Sequence, residues 1–134
     1  MTRTPTRCPC GSGEPYADCC GALHRGRAGG DPTAPTAERL MRSRYSAFAV
    51  GDAAYLLATW HPSTRPPSID LDPEVDWRQL QVVDTVDGEE DDDTGIVEFV
   101  ATYRVAPTGQ FGQQRERSAF RRLRGQWHYV GLAN

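Results

Sequence analysis

Apolar and polar residues alternate regularly along the segment 96–105. Every second side chain there is apolar or aromatic: Val97, Phe99, Ala101, Tyr103 and Val105. Because successive side chains of a strand point to opposite faces, this period of two predicts a β-strand with one buried face. Two later strands are predicted at 115–124 and 126–133, on either side of the turn residue Gly125. An earlier strand is predicted within 77–86, after a short helical or irregular start.

Before these strands, apolar positions recur every three or four residues. This helical spacing covers the segment 37–51 and is formed by Ala37, Leu40, Met41, Tyr45, Ala47 and Phe48. Thr36 is suited to cap its first turn, and Gly51 is suited to end it. A second helix is predicted over 53–60, with Asp52 as its cap and a proline two positions after its end.

Helices followed by an antiparallel meander predict an α+β fold. No apolar run approaches the roughly 20 residues that cross a bilayer. The start, "MTRTPTRCPCGSG", lacks the apolar stretch of a secretory signal peptide. We therefore expect a cytoplasmic protein that has no membrane partner.

Four cysteines stand within thirteen residues, in "CPCGSGEPYADCC", and the rest of the chain has none. Disulfides are uncommon in a reducing cytosol, where clustered thiolates usually hold a metal. Structural zinc takes four N or S ligands. The pattern predicts a structural Zn²⁺ bound by Cys8, Cys10, Cys19 and Cys20, with His24 as the alternative fourth ligand. Because four thiolates give the centre a formal charge of about −2, we expect compensation by Arg7, Arg25 or Arg27.

This stretch resembles a known zinc-binding module. "CPCGSG", Tyr16 three residues before the second cysteine pair, and "CCG" resemble the SEC-C motif, which occurs at the C-terminus of the SecA translocation ATPase and in several small bacterial proteins. In that family the fourth ligand, Cys20 in this sequence, is cysteine or histidine. SEC-C modules look like docking elements for chaperones or ribosomes. The resemblance therefore implies an adaptor whose zinc knuckle binds a protein partner.

The remaining chain resembles the bacterial YchJ-like family, an uncharacterised group that joins a SEC-C motif to a domain similar to nuclear transport factor two. The resemblance is carried by "AERLMRSRYSAFAVGDAAYLLATWHPSTRP" and "GIVEFVATYRV". It implies a cone-like, cystatin-like arrangement in which a curved antiparallel sheet packs on the N-terminal helices. The expected organisation is a SEC-C knuckle at 1–25, a Gly- and Pro-rich linker at 26–35 and the α+β domain at 36–134, with a homodimer as a further possibility.

Cone-shaped folds of this kind hold small molecules, catalyse isomerase or dehydratase reactions, or act as plain binding modules, so the fold does not choose among them. The candidate pocket residues are Arg44, Tyr45, Trp60, His61, Arg65 and Glu98. His61 has the titration range of a general acid or base, although a histidine at a helix end more often caps carbonyls. Arg44 suits a carboxylate clamp or an ion pair with Glu98 or Asp52. We predict no catalytic residue and favour the adaptor; the alternative is a small-molecule binder or enzyme.

Acidic and basic residues are segregated along the chain. The segment 66–100 has twelve acidic residues and one arginine, whereas 101–134 has six arginines and one glutamate. We expect the two segments to compensate one another across a sheet. The alternative is a basic patch that binds nucleic acid, but the formal net charge of −3 argues against general phosphate-backbone binding.

Overall fold

A computed structural model describes residues 6–29 and 33–133 of the chain. A short 3-10 turn at Tyr16–Asp18 precedes three helices and four strands. The helices are α1 (Cys20–Gly29), α2 (Ala37–Val50) and α3 (Ala53–Ala58). The strands are β1 (Val75–Asp87), β2 (Thr94–Val105), β3 (Phe111–Leu123) and β4 (Gln126–Leu132).

The four strands form one open antiparallel sheet in the order β1-β2-β3-β4. Consecutive strands are neighbours, as expected for a meander joined by tight connections. The register shifts twice between β1 and β2 and once between β3 and β4. Such irregularities bend a strand and increase its twist. The predicted α+β class, with helices before an antiparallel sheet, is confirmed.

Helix α2 begins and ends at the residues that the sequence predicts. The Thr36 side chain accepts a hydrogen bond from the backbone N–H of Arg39, and Gly51 adopts a left-handed conformation with φ of 80°. The apolar stripe of α2 packs on one face of the sheet. This main core contains Leu23, Ala34, Ala37, Leu40, Met41, Tyr45, Leu80, Val97, Ala101, Phe120 and Trp127.

Helix α3 is also as predicted at its start, where the Asp52 side chain accepts from the N–H of Tyr55. It ends at Ala58, slightly earlier than the predicted 60. The chain that follows is fixed to the sheet, because the N–H of His61 donates to the carbonyl of Tyr129 at 2.7 Å. Helix α3 is thereby held beside strand β4.

The first four residues of the predicted linker at 26–35 are helical. Helix α1 continues to Gly29, well past the predicted boundary at 25, while residues 30–32 lie outside the described part of the chain. The sequence of α1 has no strong apolar stripe, yet Leu23 is buried in the main core. This contact, together with the fixed position of Cys20 at its first turn, explains why a glycine-rich segment is helical.

Two strand boundaries also differ from the prediction. Strand β1 is extended from Val75, where it pairs with Val105, and has no helical or irregular start. Strand β3 begins at Phe111, inside the predicted turn, because it pairs with β2 as far as Arg104. Both extensions come from pairing with β2, a long-range contact that local sequence does not report. Among the described residues, no helix has the length and apolar character needed to cross a membrane.

Candidate functional site

The four cysteines meet in one buried cluster. Their sulfur atoms all lie within 4.8 Å of one another, and the sulfurs of Cys10 and Cys19 are 3.7 Å apart. Thiolates at about 2.3 Å from a tetrahedral Zn²⁺ are separated by about 3.8 Å, whereas a disulfide is only about 2.05 Å long. All four cysteines are free. The donor set and spacing therefore fit a four-thiolate zinc centre.

Local backbone geometry brings the two cysteine pairs together. Gly11 and Gly13 both have φ of 85°, in the left-handed region that glycine adopts without a steric cost. The loop closes where the N–H of Cys8 donates to the carbonyl of Glu14 at 2.9 Å. The second pair follows the 3-10 turn, and Cys20 opens helix α1. Two tight turns thus place both pairs around one point.

Arg39 supplies the positive charge at this cluster. Its Nη1 donates to the sulfur of Cys20 at 3.3 Å and its Nη2 donates to the sulfur of Cys19 at 3.2 Å. Such hydrogen bonds favour the thiolate form, which is the form that binds metal. Hydrogen bonding with the Cys10 and Cys8 thiols, together with burial, raises the pKa of Cys20. A cation at the centre of the cluster would offset this burial and favour the thiolate form of Cys20.

The arginines expected to compensate the cluster bind backbone carbonyls instead. Arg7 donates to Gly13, and Arg25 donates to Ala17. Arg27 donates to the carbonyl of Ala58. Arg39 is far from the cysteines along the chain and reaches them only through the packing of α2, so proximity in sequence did not indicate it.

Two further contacts fix the cysteine loop to α2. Arg42 donates to the carbonyl of Cys10 at 3.1 Å, and the hydroxyl of Ser46 lies 3.5 Å from the sulfur of Cys8. Helix α2 therefore forms one wall of the candidate metal centre. The centre and the main core share this helix.

The alternative ligand, His24, has both ring nitrogens engaged in hydrogen bonds. Its Nε2 lies 2.8 Å from the carbonyl of Ser43, which can only accept, so Nε2 carries the proton. Its Nδ1 then accepts from the hydroxyl of Tyr16 at 2.6 Å. Burial lowers the pKa of His24 and favours this neutral form. Neither nitrogen is left for a metal, so the structure argues against His24 as a ligand.

A cavity of about 280 Å³ lies between helix α2 and the sheet. Its walls are mostly aromatic and apolar, with a few polar groups contributed by α2 and strand β3. The lining residues are Met41, Arg44, Tyr45, Phe48, Trp60, Trp77, Phe99, Ala101, Gln114, Glu116, Ser118, Phe120 and Tyr129.

Three of the six predicted pocket residues, Arg44, Tyr45 and Trp60, line this cavity. The other three do not. The Nδ1 of His61 accepts from the backbone N–H and the hydroxyl of Ser63. Arg65 donates to the carbonyl of Trp60, and Glu98 lies on the opposite face of the sheet.

Arg44 is buried in the wall of the cavity and is not paired with Glu98 or Asp52. Its Nη1 donates to the carbonyl of Leu56 and to the hydroxyl of Thr59, both at 2.7 Å. Its guanidinium carbon lies 5.2 Å from the ring centroid of Trp60 and 4.6 Å from that of Tyr129. The charge is thus held by aromatic faces and neutral oxygens.

Glu116 lines the cavity although the sequence did not indicate it. Its Oε2 accepts from the hydroxyls of Ser118 at 2.5 Å and Tyr129 at 3.2 Å. The missed signal is the alternation of β3, which places Gln114, Glu116, Ser118 and Phe120 on one face. Because three of these four residues are polar, their pattern did not predict a face that packs toward the core.

The segregated charges compensate one another on the other face of the sheet, as predicted. Glu98 accepts from Arg115 and from Arg117, and Arg117 also pairs with Asp84 at 2.8 Å. Hydrogen bonds from Arg115 and then Arg117 lower the pKa of Glu98.

Arg122 stacks on Trp127, with its guanidinium carbon 4.6 Å from the ring centroid.

Two family models match this chain. The model described as "YchJ, middle NTF2-like domain" matches residues 36–131, and the SEC-C motif matches residues 6–22. A UPF0225 protein of Streptomyces coelicolor is 52% identical over 123 residues, which are 92% of this chain and 91% of that protein. A UPF0225 protein of Chromobacterium violaceum is 50% identical over 127 residues, with 92% and 89% covered.

Two solved structures have the same fold. The solution structure of a SEC-C motif containing protein from Rhodopseudomonas palustris aligns with a TM-score of 0.74 and 34% identity, covering 97% of this chain and 95% of that one. The crystal structure of a SEC-C motif containing protein from Psychrobacter arcticus aligns with a TM-score of 0.76 and 26% identity, covering 98% and 85%.

Proposed function

Since this chain belongs to the UPF0225 family, in which a SEC-C motif precedes a YchJ-type NTF2-like domain, we propose that it is a cytoplasmic zinc-binding adaptor. Its four cysteines hold one structural Zn²⁺, and the loop around them docks a protein partner.

The arrangement of the four sulfurs carries the zinc proposal. All four are buried and within 4.8 Å of one another, and Arg39 donates to two of them. Bound zinc supplies folding free energy and fixes four thiolates around one point. A catalytic zinc keeps an open coordination position, whereas four thiolates close the tetrahedron. The proposed centre is therefore structural.

The docking proposal is supported by the outer surface of the loop. Its cysteines face inward, and the segment between the two pairs is exposed at Gly11–Pro15, Ala17 and Asp18. Few of these side chains pack on the described body, so fixing the loop leaves its surface available. Glu14 and Asp18 place acidic side chains on this surface beside Arg7 and Arg25, which bind the carbonyls of Gly13 and Ala17. The surface therefore suits a partner protein with complementary charges of both signs.

The experiment compares three tagged proteins: wild type, a Cys19→Ser/Cys20→Ser variant and a Glu14→Arg/Asp18→Arg variant. Zinc per chain is measured by elemental analysis, and proteins retained from bacterial lysate are identified by mass spectrometry. We expect wild type and the charge-reversal variant to hold one zinc per chain, and the cysteine variant to hold none. A partner retained by wild type and lost from both variants supports docking through the loop.

Two results would contradict the proposal. If the cysteine variant holds as much zinc as wild type, Cys19 and Cys20 are not the zinc ligands. Retention of the same partners by the charge-reversal variant would remove docking through the loop and leave the zinc as an internal structural element. The adaptor is favoured over an enzyme because His61, the candidate acid or base, does not line the cavity.

A further inference from the structure

Beyond the metal centre, we propose that the cavity between α2 and the sheet binds a single-ring aromatic carboxylate, with the carboxylate group held by Arg44. This site is separate from the four cysteines. It does not depend on the adaptor role.

The first observation is a buried positive charge with no acidic partner. Arg44 is only 6% exposed. Its hydrogen bonds to the described residues all come from Nη1, which leaves Nε and Nη2 without a described acceptor. Among the described residues, no carboxylate oxygen lies within 4.0 Å of a guanidinium nitrogen of Arg44.

An unpaired buried charge is costly, so it points to a missing partner. Burial lowers the pKa of Arg44 to about 10, which still leaves the guanidinium protonated at neutral pH. The faces of Trp60 and Tyr129 offset part of the cost. A carboxylate would offset more, because two oxygens match the planar N–H fork of arginine.

The second observation is a pair of unsatisfied polar groups in the same wall. The hydroxyl of Tyr45 and the indole nitrogen of Trp60 are buried and have no hydrogen-bond partner among the described residues. Buried polar groups nearly always have a partner in native proteins. Both residues line the cavity beside Arg44.

The walls and volume select the body of the ligand. Apart from Arg44, Gln114, Glu116 and Ser118, the lining residues are aromatic or aliphatic. Aromatic rings prefer edge-to-face or offset contacts with other rings. Ligand pockets commonly measure about 300 to 1,000 Å³, so a cavity of about 280 Å³ suits one ring with a short substituent.

Glu116 provides a second way to test the proposed binding of a carboxylate. It is the acidic residue of the cavity, and its Oε2 is held by Ser118 and Tyr129. It contributes a negative potential at Arg44 without approaching it as an ion pair. A bound carboxylate would be repelled by this charge, so the neutral isostere at position 116 should bind the anion more tightly.

The test is a titration of ¹⁵N-labelled, zinc-containing full-length protein, followed by amide NMR shifts. The probes are benzoate, its neutral analogue benzyl alcohol, and acetate. We expect benzoate to shift the signals of cavity-lining residues and to bind about tenfold or more tightly than either other probe. Arg44→Met should abolish the preference for benzoate over benzyl alcohol, whereas Arg121→Met, an exposed arginine outside the cavity, should retain it.

Glu116→Gln keeps an oxygen for Ser118 and Tyr129 and should tighten benzoate binding about threefold or more. If Arg44→Met does not fold, the benzoate affinity of Glu116→Gln tests the proposal. The proposal is overturned if benzyl alcohol binds wild type as tightly as benzoate, if millimolar benzoate shifts no cavity signal, or if Glu116→Gln leaves benzoate affinity unchanged.

Discussion

The guanidinium of Arg39 donates to the sulfur of Cys19 at 3.2 Å across twenty positions of sequence. Arg39 lies on the first turn of α2, whose apolar stripe forms much of the main core. The same helix therefore carries the counter-charge of the cysteine cluster and the hydrophobic contacts of the body. The candidate metal centre is thus coupled to the fold of the domain, and it is not an appendage on a loose linker.

Replacing Arg39 should weaken metal retention. Arg39→Met removes two hydrogen bonds to sulfur and leaves two thiolates less compensated. Hydrogen bonds to charged groups contribute about 1.5 to 3 kcal/mol each, so we expect zinc affinity to fall by about tenfold or more. Competition with a chromogenic chelator measures this change. Arg42→Met is the matched control, because Arg42 donates to the carbonyl of Cys10 and not to a sulfur; an equal loss in both variants would contradict the charge role.

Replacing Cys20 should disturb more than the cysteine loop. Cys20 is the first residue of α1, and Leu23 on the same helix is buried in the main core. We expect Cys20→Ser to lose zinc, to disorder α1 and to lower the thermal midpoint of the whole domain. Circular dichroism and amide NMR measure these changes. Ser12→Ala is the control, since Ser12 contacts the sulfur of Cys19 without ligating. An unchanged midpoint in Cys20→Ser would show that the body is independent of the centre.

The elements that the sequence predicts well are those with a strong local period or cap. Strand β2 alternates cleanly, and α2 has both an apolar stripe and the capping residues Thr36 and Gly51. These features act within a few residues, so they are visible without the fold. The cysteine cluster is predictable for the same reason, because its spacing and its glycines are local.

What the sequence does not reveal depends on contacts between distant segments. Helix α1 is glycine-rich and is held by Cys20 and by the burial of Leu23. Arg39 meets the cysteines only because α2 packs beside them. Glu116 faces the cavity because strand register, and not polarity, decides which face a residue joins. In each case tertiary packing overrides what composition suggests.

Stability should depend on His128 below neutral pH. Its Nδ1 donates to the carbonyl of Gln126, so its Nε2 accepts from Arg27 at 2.8 Å. Burial, and next the charges of Arg27, His61 and Arg65, lower the pKa of His128 below its usual 6.5, while the Gln126 carbonyl opposes this shift. The unfolded chain therefore binds the proton first, and folded stability should fall as pH drops below about 6.5, by at most about 1.4 kcal/mol per pH unit for this group.

The measurement is urea unfolding of wild type and His128→Gln between about pH 7.5 and 5, a range in which histidine titrates. The variant should lose stability less steeply than wild type over the acid half of this range. His61→Gln is the comparison: it removes one of the smaller causes of the lowered His128 pKa, an imidazole whose ring centroid lies 6.0 Å away, and leaves the bond to Arg27 intact. It should keep most of the pH dependence of wild type. Parallel pH profiles for wild type and His128→Gln would contradict the assignment.

Packing of α2 on the sheet should depend on the absence of a side chain at Gly95. A Cβ at this position would lie 2.5 Å from the Cα of Gly88 and 3.1 Å from the Cβ of Ala37. The nearest of these atoms is backbone, which cannot rotate away, so Gly95→Ala must separate β2 from the β1–β2 turn or from α2. Overpacking of this kind costs about 1 to 3 kcal/mol. Thermal or urea unfolding measures the loss, with Thr94→Ala, an exposed neighbour on the same strand, as the control.

Gly95→Ala should also reduce zinc retention, because Ala37 opens α2 and Arg39 follows two residues later. Equal zinc retention in Gly95→Ala and Thr94→Ala would show that the metal centre tolerates displacement of the helix start.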